Sequence, residues 1–90
     1  MDITLNGNEI ITIPKLHHEL KIKLELPDYY GENLDALWDC LTGWIDLPTT
    51  IYWENYSESK KYLGVYAERT VELLQDAQNQ IKGFTFKLKP

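Results

Sequence analysis

A small α/β domain, with a three-stranded parallel sheet and about four helices, is the fold this sequence predicts, and three observations lead there. Residues 3–5, 49–53 and 84–88 are short runs rich in β-branched and aromatic side chains, which suit strands. Between them, apolar residues recur three and four apart, which is the helical period. Strands separated by helical crossovers pair in parallel, because a parallel pair needs a long connection. With 90 residues, 43% of them hydrophobic, the chain can build one core but not two, so residues 1–90 are expected to form a single domain.

Ile3-Thr4-Leu5 runs into Asn6-Gly7-Asn8, a turn signal. Asn-Gly would also suit a hairpin whose second arm is residues 10–13. Pro14, well placed at a first helical position, favours a helix there instead. Ile13, Leu16, Leu20 and Leu24 form its apolar stripe, and Pro27 is expected to stop it near Leu26. His17 and His18 lie on this helix with no third ligand at metal-binding spacing, and read as surface or edge-of-core residues. In the second helix, Gly31 marks the preceding turn and Asn33 is a preferred N-cap. Leu34, Leu37 and Leu41 share one stripe with Trp38 at its edge, while Asp35 and Asp39 fall well round the helix from it. Gly43 is expected to close this helix through a left-handed cap. Trp44 leads out towards Pro48, where a cis bond is permitted but not legible. A short helix from Asn55 or Ser57 to Leu63 should stop at Gly64. A longer one follows from Ala67 to Gln80, with Val71, Leu74, Ala77 and Ile81 in helical register, and Gly83 ends it before the last strand.

Charge narrows the function. Nine Lys and Arg against fourteen Asp and Glu leave a net −5. No Lys, Arg or His occurs between residues 24 and 59, whereas Glu25, Asp28, Glu32, Asp35, Asp39, Asp46, Glu54 and Glu58 all fall there, with seven of the eleven aromatics. Such a block argues against direct binding of nucleic acid, which needs clustered Lys and Arg, and for a basic partner. No apolar run is long enough to span a membrane, and no basic and apolar leader opens the chain. The lone Cys40 cannot form an internal disulfide, and no Cys/His spacing suggests zinc. A reduced, cytoplasmic protein without metal or cofactor is the expectation.

Enzymatic signals are poor. There is no Gly-rich phosphate loop, no nucleophile elbow and no nucleophile beside a His in sequence. Cys40 reads as a half-buried packing residue, since no nearby positive charge would lower its pKa. Asp35 and Asp39 could in principle serve as acid and base, but they project from one exposed face rather than across a cleft. Like charges one turn apart cost a few tenths of a kcal/mol, so the pair is unusual as mere solvated surface. Tyr29, Tyr30, Trp38 and Trp44 flank it, a density of aromatics typical of binding hot spots, although composition equally allows any of the four to belong to the core. Two carboxylates about 5.4 Å apart along a helix axis can present charge much as neighbouring phosphates do. Rings beside them can fill the space of a nucleobase. The residues therefore suggest a polyanion mimic that plugs a basic cleft, with Asp paired to Arg in a bidentate fashion.

The run Leu26-Pro27-Asp28-Tyr29-Tyr30-Gly31-Glu32-Asn33-Leu34-Asp35-Ala36-Leu37-Trp38-Asp39-Cys40-Leu41-Thr42-Gly43-Trp44 resembles the signature of the barstar family, intracellular inhibitors of secreted ribonucleases of the barnase type. More loosely, the likeness extends over essentially the whole chain. It implies a barstar-like fold and no enzymatic activity. It also implies a 1:1 complex with a basic extracellular ribonuclease and a monomer when free. Asp39 would take a catalytic phosphate position, and Asp35 a second basic or amide contact. Tyr29 would stack over the catalytic region. Tyr30, Gly31, Asn33, Trp38, Thr42, Gly43 and Trp44 would build the surrounding surface. A further acidic contact would come from the long helix, where the family has Glu and this chain has Asp76, one methylene shorter.

Rival readings keep to the same residues. An immunity protein (antitoxin) against a different basic nuclease or toxin domain retains the fold and changes the target. A small enzyme would use Asp35 and Asp39, and a plain scaffold would scatter its acids round the surface.

Overall fold

The computed structural model describes all of residues 1–90, in the order β1 (Asp2–Asn6), α1 (Ile13–Lys23), α2 (Leu34–Gly43), β2 (Thr49–Glu54), α3 (Tyr56–Leu63), α4 (Val65–Gln80) and β3 (Phe84–Leu88). The expected three strands and four helices are present, and the sheet runs β1-β2-β3 with both pairings parallel. Register aligns Ile3 with Ile51 and Ile51 with Phe86, so strand alternation puts matching side chains on one face. Ile3, Leu5, Ile51, Trp53, Phe84 and Phe86 are buried there, in one core cluster with Leu16 and Leu20 of α1, Leu37 and Leu41 of α2, and Leu74 and Ala77 of α4. The alternate residues Thr4, Thr50, Tyr52 and Thr85 remain partly exposed on the other face.

Both outer strands have polar backbone groups taken up by helix side chains. The Lys23 ammonium donates to the Thr4 carbonyl on β1. On β3 the Phe86 amide donates to the Gln78 side-chain oxygen at 2.7 Å. An unpaired strand edge invites pairing with another chain, and these two bonds occupy part of each edge.

The turn after β1 leads into a helix, not a hairpin. Asn6 closes it by accepting from the Asn8 amide through its side chain and from the Glu9 and Ile10 amides through its carbonyl. Gly7 packs so tightly that a Cβ would lie 2.0 Å from the Asn55 carbonyl oxygen, an approach only glycine allows. Thr12 then caps α1 by accepting from the Lys15 amide, and Pro14 sits in the first turn.

Helix α1 stops at Lys23, short of the expected Leu26. Glu25 adopts a left-handed φ of 54°, and the Leu26 and Glu25 amides return to the Lys21 and Ile22 carbonyls. That is a Schellman termination with glutamate where glycine is usual, so no glycine signalled it in the sequence. The long helix begins at Val65 rather than Ala67, and Ile81 caps it instead of continuing it. At α2 the left-handed cap expected of Gly43 is absent: Gly43 is the last helical residue and Trp44 takes the cap position at φ −120°. The Leu47–Pro48 bond is cis.

Candidate partner-binding site

Helix α2 is positioned from both ends. The Asn33 side chain accepts from the Ala36 amide at 2.8 Å and donates to the Gly31 carbonyl at 3.2 Å, which ties the preceding loop to the first turn. Leu37 and Leu41 anchor the inner face, with Leu34 and Trp38 half-buried at its margin. That leaves Asp35 and Asp39 exposed on the outer side, as their angular positions predicted.

Between α2 and α4 lies a groove of about 630 Å³. Leu34, Asp35, Trp38 and Asp39 line one wall, and Arg69, Glu72, Leu73, Asp76 and Gln80 the other. Asp76, roughly forty residues from the α2 pair in sequence, thus stands across the groove from it. None of the groove's four carboxylates forms an ion pair, whereas Glu19, Glu58 and Glu68 elsewhere do. Four carboxylates against one arginine, round a half-apolar floor of Leu34, Trp38 and Leu73, leave the groove net negative and open to a cation.

A smaller hollow of about 280 Å³ adjoins it, lined by Tyr29, Tyr30, Gly31, Ala36, Asp39 and Cys40. Asp39 borders both depressions. The two tyrosines part company here. Tyr29 is 80% exposed and meets Trp44 edge-on, with ring centroids 6.3 Å apart. Tyr30, which the family resemblance implied for the contact surface, is only 5% exposed, and its hydroxyl bonds the His17 Nδ1 at 2.6 Å. The other His17 nitrogen meets the Tyr66 hydroxyl, also at 2.6 Å. His17 is therefore a fully buried link between α1, the loop and α4, not a surface or edge residue, while His18 is exposed. A buried imidazole is tolerated because both ring nitrogens find partners. Burial lowers the His17 pKa, with Glu32 pulling the other way. Burial raises that of Tyr30, with Cys40, Tyr66 and Glu32 adding to it.

Trp44 is 48% exposed, and its indole N–H donates to the Glu25 carbonyl at 3.1 Å. Thr42 is exposed but turns its hydroxyl inwards, donating to the Trp38 carbonyl at 2.8 Å. At Gly43 a Cβ would meet nothing within 4 Å. Asn33, Thr42, Gly43 and Trp44 line neither depression. Cys40 is buried, and burial followed by the Asp39 charge raises its pKa, which makes it a poor nucleophile.

The groove adds residues that sequence reasoning overlooked: Arg69, Glu72, Leu73 and Gln80. A signal was there, because Glu72 stands one turn before Asp76 and Arg69 two turns before it, the spacing of one helix face. No group of three or more His, Cys, Asp or Glu side chains is arranged to hold a metal ion, and no helix is long and apolar enough to cross a membrane.

Comparison with known proteins agrees with this architecture. The family described as "Barstar (barnase inhibitor)" matches residues 1–89. The chain is also similar to the "Putative ribonuclease inhibitor YrdF" of Bacillus subtilis (strain 168), at 51% identity over 80 residues, which cover 89% of this chain and 88% of that protein.

Proposed function

The chain belongs to the barstar family, and on that premise we propose that it inhibits a ribonuclease by occupying its active site. The target is a basic, secreted ribonuclease of the barnase type, bound 1:1 inside the cell that makes it. One observation carries this reading: Asp35, Asp39 and Asp76, from two helices, border a single groove and pair with no cation of their own. A carboxylate with an internal partner has little left for a visitor, and these have none. Asp39, at the junction of the groove and the aromatic hollow, takes the central cation, and Tyr29 and Trp44 cover the space of a base. Tyr30 acts from beneath, fixing the loop through His17 rather than offering its hydroxyl.

The mechanism needs no cofactor and no reaction. Steric occlusion combines with charge that imitates the RNA backbone, and the negative field speeds encounter; barnase and barstar are themselves the reference example of such steering. The test is a titration of the purified protein into barnase during RNA cleavage, at low and high salt. Activity should fall to nothing near one equivalent, and salt should slow association far more than it speeds dissociation. Undiminished RNA cleavage by every barnase-type enzyme tried would end this reading.

Asp76 favours a second target. Where the family resemblance implies Glu, the shorter Asp76 reaches less far across the groove, which suits a different basic nuclease or toxin domain with its cation set deeper. Inhibition of such a nuclease, with barnase untouched, would select that reading.

A further inference from the structure

The groove is not uniformly acidic. Arg69, the only arginine in the chain, lines it beside Glu72 and opposite Asp35 and Asp39. On α4 the face at positions 69, 72, 73, 76 and 80 reads Arg, Glu, Leu, Asp, Gln, so a cation precedes the acids on the same wall. We infer that Arg69 is a specificity-determining residue that receives a carboxylate of the partner, so that the partner's face is basic with one acidic residue opposite the first turns of α4. This rests on the inhibitor reading and adds the partner's charge pattern to it.

Three points support the assignment. The first is that Arg69 forms no ion pair or side-chain hydrogen bond, although Glu72 lies three residues on, within reach along the helix. Pairs of that kind do form elsewhere in this chain, as between Lys61 and Glu58 at 3.7 Å and between Lys15 and Glu19 at 3.8 Å. An arginine whose work was to quiet repulsion among its own acids would be paired with one of them.

Second, a positive charge on one wall of this groove opposes the attraction of a basic partner. Its presence is a net gain to binding only if it meets an anion there. Third, the guanidinium is a planar fork matched to a carboxylate in a bidentate geometry, which gives direction as well as charge. An RNA phosphate fits less well, because the four carboxylates of the same groove repel a polyanion more than a single protein side chain embedded among cations.

The experiment compares wild type, Arg69→Gln and Arg69→Glu against barnase by stopped-flow binding, with unfolding curves to confirm that each variant folds. Arg69→Gln should dissociate about tenfold faster or more, and Arg69→Glu faster still. Lysine substitutions made one at a time at the exposed carboxylates of barnase should include one that restores binding to Arg69→Glu while weakening wild type. If the charge acts only through the field, the sign reverses: Arg69→Gln associates faster and binds tighter. Equal or tighter binding by Arg69→Gln overturns the inference, as does the failure of every lysine substitution to rescue Arg69→Glu. Loss of binding in Asp39→Ala with none in Arg69→Gln removes this inference alone. A wild-type protein that does not bind barnase removes the barnase reading and this inference with it.

Discussion

Replacing Asp39 by Ala should move stability and affinity in opposite directions. In the free protein its side chain is exposed, and it neither pairs with a cation nor caps a helix. The residue's only hydrogen-bonding role beyond the helix ladder is through its backbone carbonyl, which accepts from Thr42 at 3.3 Å and survives the change. Removing the carboxylate lifts a like-charge repulsion from Asp35, one turn away, of a few tenths of a kcal/mol. Alanine is also the better helix former, by up to about 0.7 kcal/mol. Together these stabilise the free protein by about 0.5–1 kcal/mol, which for a chain of this size raises the melting temperature by roughly 2–8 °C. Binding should suffer far more. Leaving cations of the partner buried and unpaired costs about 2–5 kcal/mol or more, a range that barnase and barstar themselves helped to set. That corresponds to roughly thirtyfold to several thousandfold in the dissociation constant. Thermal unfolding of the free protein and calorimetric titration of the nuclease read the two quantities. A variant that loses affinity and stability together would mean that Asp39 supports the fold, and one that loses neither would remove it from the site.

Gly43→Ala should stabilise the free protein by about 0.5–1 kcal/mol, since the residue is helical and open space awaits its methyl group; nuclease titration should show weaker binding if that space is where the partner sits. For His17 the folded pKa is depressed by burial, so its contribution to stability is fully present above the unfolded value of about 6.5 and is lost as pH falls towards the folded one. Urea unfolding between pH 7.5 and 5 should show that loss, with a slope of at most about 1.4 kcal/mol per pH unit, and His17→Gln should lack it. Gln78→Ala strips the acceptor from the Phe86 amide and should cost about 1 kcal/mol. Because it also opens the β3 edge, light scattering should register more self-association than in wild type.

Helix α2 was legible because its signals are local: a capping asparagine, leucines at the helical period, and charges at the complementary angles all lie within ten residues. Its neighbour across the groove was not. Nothing in the spacing of Asp76 relative to Asp39 says that α4 packs beside α2, and the family resemblance alone brought Asp76 into the set of binding residues. Tyr29 and Tyr30 show a different limit. In a loop no period separates inward from outward, and the bond that accompanies Tyr30's burial is to a histidine thirteen residues away. Glu25 and Glu32 hide for a third reason. Both hold left-handed backbone at φ 54° and 51°, a conformation that sequence reading assigns to glycine and asparagine.

One consequence of the Schellman turn lies outside α1. Its Glu25 carbonyl holds the Trp44 indole, and Trp44 in turn sets Tyr29 edge-on. Two large exposed rings would ordinarily sample several rotamers each, and immobilising such a side chain on association costs about 0.5–1.5 kcal/mol. Here much of that ordering takes place during folding. If these rings meet the partner as proposed, the bond between Trp44 and the Glu25 carbonyl makes an irregular helix end some twenty residues upstream a source of preorganisation.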